Sequence, residues 1–470
     1  MRARSLAEEL ERRLPGRVYT DPAVASLYAR EPSGLEGRPP AAVVLAREPG
    51  DVSLTLRLAY KFEVPVYLQG SLSSLSGSAV PLDEGIVISF EKMSRVREFS
   101  PVDGYVEAEA GVRLGELNSL LAREGYMFPV DPASVAVATV GGAVNSGAGG
   151  LRGAKYGTMR DWVLGLEAVL PDKRGSVIRV GCRVVKCRQG YDLTRLIVGS
   201  EGTLAAVTAA VLRLARLPRR VVVAAAFFPE LEGLAAAVAE VKAAGYEPLI
   251  MEFMDAPTVA KAVEYVRPGF EAAGHMLLVA VEAADCEAVE VLERLSRLLS
   301  SHGASRVYTA PSMREAEPLI KLRRAMYPSQ VRLALEEKGP GTLVYVEDIA
   351  VPPSRLVEAV RGVRSLAESY GFEVLLGGHV GDGNLHPIVA FDPRNPGEAG
   401  RAEQLFREIM RLAVKLGGTV SAEHGIGVLK REGLRMELEA LGSLRALELM
   451  KQLKRVFDPK GILNPHKVVW

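Results

Sequence analysis

Cysteine is nearly missing from this chain. Three occur in 470 residues, Cys182, Cys187 and Cys286, and none forms a C-x-x-C pair. A disulfide-stapled secreted scaffold and a thioredoxin-type redox pair are thereby excluded, and the three read as reduced thiols of a cytoplasmic protein. No cysteine cluster fits iron–sulfur ligation and no haem-attachment motif occurs. An apolar run of roughly 18 residues is missing, which excludes a membrane-spanning helix. Charge of one sign is not in excess either. Fifty-eight basic residues face 57 acidic ones, for a net +1, so binding nucleic acid through a large basic field is not indicated. The first residues, MRARSLAEELERRLPG, do not read as a signal peptide. Leu6, Leu10 and Leu14 share one helical face, Glu8/Arg12 and Glu9/Arg13 are i,i+4 pairs, and Pro15-Gly16 ends the helix. Asn and Gln are scarce, a trait of heat-adapted proteins.

What remains is 48% hydrophobic and 24% charged, the profile of a globular chain of two to four domains at about 150 residues each. AAVVLA, VPVYL and GIVISF read as strands around a helix in DVSLTLRLAYKF, with Asp51 placed as its N-cap. YVEAEAG and RLGELNSLLAREG add a strand and a helix, and ARLPRR at 215–220 looks like a boundary. Beyond it, strands VVVAAAFF, HMLLVAVEA and TLVYVEDIAV alternate with long amphipathic helices. That pattern predicts an α+β domain, an antiparallel sheet with helices on one face.

Two stretches carry small residues where a core would need large ones. QGSLSSLSGSAV follows a strand and offers amides and hydroxyls in a compact turn, a nest suited to a pyrophosphate or a plain linker. PVDPASVAVATVGGAVNSGAGGLRGAKYGTMRD, residues 129–161, is too long and too small in side chain for a linker and reads as a loop wrapping a ligand. No G-x-G-x-x-G follows the first strand, so a Rossmann site is not indicated.

Four of the six histidines lie after position 378. His379 and His386 bracket VGDGNL, a tight turn able to bring two imidazoles together. They are satisfied turn residues or metal ligands. SAEHGIG adds Glu423 and His424, and two His with one carboxylate make a common divalent-metal set. Asp382 and Asn384 read as Asx-turn residues. Arg323 or its neighbour Arg324 is a helix-face residue or a carboxylate clamp. Lys430 and Arg431 add charge beside the histidine motif or lie on the surface.

DPASVAVATVGGAVNSGAGGLRGAKYGTMRDWVLGLEAVLPD and GYDLTRLIVGSEGTLAAVTAAVLRL resemble the FAD-binding domain of the vanillyl-alcohol oxidase/p-cresol methylhydroxylase superfamily. GGHVGDGNLHPIV, GGTVSAEHGIGVLKR and FDPKGILNPHKV resemble its glycolate oxidase catalytic subunit/D-lactate dehydrogenase branch. The resemblance spans essentially the whole chain. It implies an α+β, two-domain flavoprotein: an FAD-binding domain of two α+β subdomains at 1–218, a cap domain at 219–425 with an antiparallel sheet covered by helices and carrying the metal site, and a segment 426–470 returning to the FAD domain.

For the cofactor it implies that Gly70, Ser71, Ser73, Ser74, Ser76 and Gly77 cover the pyrophosphate. Pro132, Ser134, Thr139, Gly141 and Gly142 would run along FAD, with Tyr156, Gly157, Glu201, Gly202, Val207 and Asn464 completing the pocket. The family pattern in the first loop is R-G-x-G-T-S-x-S-G-G. Here Gln69, Leu72, Ser73 and Ser78 replace the Arg, Gly, Thr and last Gly, which puts the loop path and the FAD affinity in question. No histidine lies in that loop, so the flavin is expected to be non-covalent. His379, His386 and Glu423 would hold a divalent ion (Zn, Mn or Fe), His424 would be the base and Arg323 the carboxylate ligand. The implied reaction is oxidation of a D-2-hydroxy acid, D-lactate or glycolate foremost, to the 2-oxo acid, with hydride to flavin N5. Electrons would leave to an external acceptor: a quinone, a cytochrome, an iron–sulfur subunit or a soluble carrier. A homodimer, no nucleic acid, and a cytoplasmic place, free or at the inner face of the membrane, complete the expectation. The rivals are a flavin-free metal hydrolase or lyase, and a non-catalytic scaffold subunit.

Overall fold

The computed structural model describes residues 1–469; the terminal Trp470 of the returning segment lies outside them. The chain divides into two compact units. The first holds 1–150, 157–217 and 423–470; the second holds 151–156 and 218–422. Residues 423–425 therefore belong with the first unit and not with 219–425, and the short piece 151–156 belongs with the second.

The first unit contains two larger sheets. One has the order Val18–Tyr19, Ala42–Leu45, Ile86–Ser89, Val66–Gln69, with the last three parallel. Helices Arg2–Arg13 and Pro49–Phe62 pack their apolar faces on it through Leu6, Leu10, Val52 and Leu56. Asp51 is not the N-cap. The helix begins at Pro49, a residue whose missing N–H costs nothing there. Asp51 instead accepts from Arg47 N and pairs with Arg17. On the first helix, Glu9 takes both Arg12 and Arg13. The other sheet is antiparallel, Val96–Ser100, Tyr105–Glu109, Ala206–Arg213, Val163–Val169, Val177–Gly181.

The second unit is an eight-stranded antiparallel sheet running Arg306–Ala310, Arg220–Phe228, His275–Ala283, Pro248–Met254, Val374–His379, Asn384–Phe391, Leu343–Val346, with Ile349–Ala350 also on the 384–391 strand. Helices cover both of its faces, not one. Val222, Ala224 and Ala226 join a core with helices Leu231–Ala243 and Leu356–Ser369. Val223, Ala225 and Phe227 face the opposite way into a core with Ala256–Val266 and Glu317–Arg324. A strand buried on two sides must be apolar at every position, which is why VVVAAAFF shows no alternation.

Two further expectations change. Residues 129–161 are not one loop; helices Val140–Ser146, Gly153–Tyr156 and Met159–Trp162 lie within them. Cys182 and Cys187 are not separate thiols. They form a disulfide across five residues, just past the strand Val177–Gly181, while Cys286 is exposed. A reading tuned to C-x-x-C had no reason to pair C-x4-C.

Candidate functional site

In the first unit a cleft opens where the parallel strand Val66–Gln69 ends. Gly70, Ser71, Ser73 and Ser74 form one wall. Gly70 cannot carry a side chain, because an added Cβ would stand 2.3 Å from Thr139 Oγ1. Thr139 is the N-cap of Val140–Ser146, its hydroxyl accepting from Gly142 N. Gly141 is pressed on Ala110, where a Cβ would meet another at 2.7 Å. Pro132 and Ser134 line the cleft from the preceding segment, and Glu201, Val207 and Asn464 from the far side. Asn464 accepts from Leu68 N and donates to Glu201 O, so the tail closes this end.

The residues that break the family pattern hold the loop together. Buried Gln69 donates from Nε2 to both Tyr28 O and Ala79 O, joining the loop's two ends. Leu72 takes φ +57, the left-handed conformation a glycine adopts without strain. Ser78 bonds Ser74 through its hydroxyl.

Five expected cofactor residues do not line the cleft. Ser76 and Gly77 turn inward: Ser76 O accepts from Val428 N, and Gly77 N donates to Glu31. Gly202 packs under Asn464 Nδ2. Gly157 sits against Asp161. Tyr156 belongs to the second unit, where its hydroxyl donates to Glu282 and its pKa is raised by burial and then by that carboxylate. Residues not foreseen take their place, among them Gln69, Phe90, Asn145 and Gly149. Two acceptors buried in the wall, Gln69 Oε1 and Asn145 Oδ1, have no hydrogen-bond partner among the described residues. A groove floored by glycine, walled by hydroxyls and holding unmet polar atoms fits an extended polar cofactor such as FAD.

Glu423 and His424 also line this cleft. They stand on a bend at residues 422–424, with His424 Nε2 and Glu423 Oε1 3.9 Å apart. The turn that follows, with Gly425 at φ +85, is held by buried Glu201, which accepts from Ile426 N at 2.7 Å and Gly427 N at 2.8 Å. Burial pushes the Glu201 carboxyl up to about 7, against the pull of those amides and of Lys467. Burial pushes Lys467 down to about 7, with Glu31 and Glu201 opposing. Lys430 is buried, and Arg431 donates to His466 O.

In the second unit the hairpin Val374–His379/Asn384–Phe391 pairs Gly377 with His386. The rings of His379 and His386 lie 5.2 Å apart, nearly perpendicular. His379 Nδ1 is 2.6 Å from Oε1 of buried Glu252, and His386 Nδ1 is 3.3 Å from Glu347 O. Both acceptors favour the tautomer with the proton on Nδ1 and the lone pair on Nε2, which suits ligation of a metal through Nε2. Glu252 Oε2 is 2.6 Å from Arg323 Nη2, and Arg323 Nε is buried without a hydrogen-bond partner among the described residues. Arg324 is exposed. Asp382 accepts from Asn384 N as an Asx turn would, but the Asn384 amide reaches inward to Asp348 and Ile349 O. The other Asp348 oxygen accepts from Ser421 Oγ and Ala422 N. Glu252 and Asp348 had no distinguishing mark in the sequence; strand pairing reveals the first, and bonds from Asn384, Ser421 and Ala422 the second.

Comparison with known proteins agrees with this anatomy. Residues 40–181 match the FAD binding domain family, and 217–468 match the C-terminal domain of FAD-linked oxidases. The chain is 36% identical to the glycolate oxidase subunit GlcD of Bacillus subtilis over 430 residues, 91% of this chain and 89% of that one. It is 39% identical to the D-lactate dehydrogenase of Archaeoglobus fulgidus over 424 residues, 89% of each. Its fold matches 4-ethylphenol oxidase from Gulosibacter chungangensis with a TM-score of 0.81 at 16% identity, across 100% of this chain and 97% of that one. With both halves of the chain matched in order, and relatives aligned along nearly all of its length, the protein belongs to the FAD-linked oxidases.

Proposed function

We propose that this flavoprotein oxidises a D-2-hydroxy acid, D-lactate or glycolate foremost, to the 2-oxo acid. The observation that carries the reading is His424 in the wall of the glycine-floored cleft. A base there stands beside the groove that fits FAD, whatever the substrate. The relatives bearing the names glycolate oxidase subunit and D-lactate dehydrogenase support the substrate class.

FAD held by Gly70–Ser74, Pro132–Ser134, Thr139–Gly142 and Asn464 would supply the two-electron acceptor and pass electrons to an external carrier. A divalent ion held by His379, His386 and Glu423 would make the substrate hydroxyl more acidic. Within the second unit, Asp348 fixes the Ala422 amide and Asn384, two residues before His386. Arg323 grips the substrate carboxylate through its unmet Nε edge. His424 takes the hydroxyl proton on an imidazole nitrogen.

The test is a visible flavin spectrum of purified protein, followed by anaerobic titration with D- and L-2-hydroxy acids. Bleaching by D-lactate or glycolate, and not by L-lactate, is expected. A protein that binds flavin and is bleached by none of the acids would overturn the reading.

A further inference from the structure

We infer that Glu252 is the positioning residue of this site, one carboxylate that sets His379 as a metal ligand and Arg323 as a substrate clamp. The inference rests on the metal and substrate reading above.

Glu252 stands in the strand Pro248–Met254, directly across from His379 in antiparallel register. Its neighbours on the same face, Ile250 and Met254, are core residues. The Glu252 side chain has no exposed surface. A carboxylate buried among apolar groups costs several kcal/mol unless both oxygens are matched. Here Oε1 is hydrogen-bonded to His379 Nδ1 at 2.6 Å, and Oε2 is ion-paired with Arg323 Nη2 at 2.6 Å without the alignment of a hydrogen bond. Nothing in folding the sheet requires this charge, since an apolar residue would suit Ile250 and Met254 better.

What the charge does follows from its chemistry. A carboxylate only accepts, so His379 must donate from Nδ1 and present Nε2 as a lone pair. The same ion draws one Nη of Arg323 and holds the guanidinium plane, leaving buried Nε to donate elsewhere. Side-on capture of a carboxylate uses Nε with an Nη. Glu252 thus links affinity for the ion to affinity for the acid without touching either.

The test uses the full-length, flavin-loaded protein and three readouts: flavin content, zinc affinity by chelator competition, and KM against kcat for the 2-hydroxy acid. Glu252→Gln keeps an oxygen for His379 but turns an amide N–H toward Arg323. It should leave flavin content unchanged, weaken zinc about 10- to 100-fold, and raise KM more than it lowers kcat. Glu252→Asp keeps the charge with its oxygens drawn back. It should weaken zinc in a folded protein if the glutamine variant fails to fold. Wild-type zinc affinity in either folded variant overturns the role of Glu252 alone. A wild-type protein that binds none of zinc, manganese and iron(II) overturns the metal reading, and the role of Glu252 with it.

Discussion

Gly70 and His424 carry the two most sensitive single positions of the cleft. A Cβ at Gly70 would displace the Thr139 hydroxyl, which caps the next helix. Gly70→Ala should therefore cost roughly 1 kcal/mol from the lost cap and lower flavin content in the purified protein. Retention of full flavin would show that the loop yields without cost. His424→Ala should reduce turnover roughly 100-fold or more, with flavin and metal content unchanged, because it belongs to neither ligand set. Wild-type flavin reduction by this variant would place the base elsewhere. His379 and His424 could be picked out from the sequence because histidine is rare in this chain, whereas Gly70 and Thr139 were named through the family resemblance. Glu252 could not. It is one acid inside the apolar run LIMEFM, and its meaning depends on a strand 127 residues away. Arg323 could not be told from Arg324 for the same reason: burial, and not spacing, separates them.

At the scale of elements, the antiparallel sheet of the first unit carries a lattice of charge. Glu107, Glu109 and Glu167 face Arg95, Arg97, Arg179 and Arg183 across its strands. Burial would raise the Glu167 pKa, but Arg97 and Arg179 outweigh it and hold it below 4.5; at Glu109, Arg95 outweighs burial in the same way. A carboxyl whose pKa falls on folding adds stability that is complete above its unfolded value and is lost as pH drops through the folded value. The unit should accordingly lose stability on acidification below about pH 4.5. Glu167→Gln should lower the neutral-pH Tm and flatten that acid limb, read by thermal melts across the range. An unchanged limb would mean the lattice is already matched in the unfolded chain. The strand in YVEAEAG was legible in the sequence, whereas the strand Val96–Ser100 and the lattice were not, the latter because it joins residues up to 76 positions apart. The helix Val140–Ser146 was missed because its glycines and β-branched residues are poor helix formers. Its cap and its packing on Ala110 override that weakness.

For the whole molecule, the order of the units along the chain is uneven. The first unit takes the first 150 residues, a middle piece and the last stretch from Glu423. Asn464 from that stretch closes one end of its cleft, and Glu423 and His424 stand in its wall. A chain ending at 422 should therefore show a folded second unit by proteolysis and circular dichroism, yet hold no flavin after gel filtration. Flavin retained by that fragment would mean the tail only covers the cofactor. The motifs in the sequence announced that both ends of the chain serve one cofactor; Asn464 alone, in an ordinary NPHKV stretch, gave no hint that it bonds both Leu68 and Glu201.

The bond from Leu68 N to Asn464 spans 396 residues. A ribosome adding about 5–20 residues per second needs roughly 20–80 s to pass from one partner to the other. Through that interval the nascent strand Val66–Gln69 and its glycine loop exist without the residue that closes them. Closure of this end of the cleft thus waits until translation has passed Asn464.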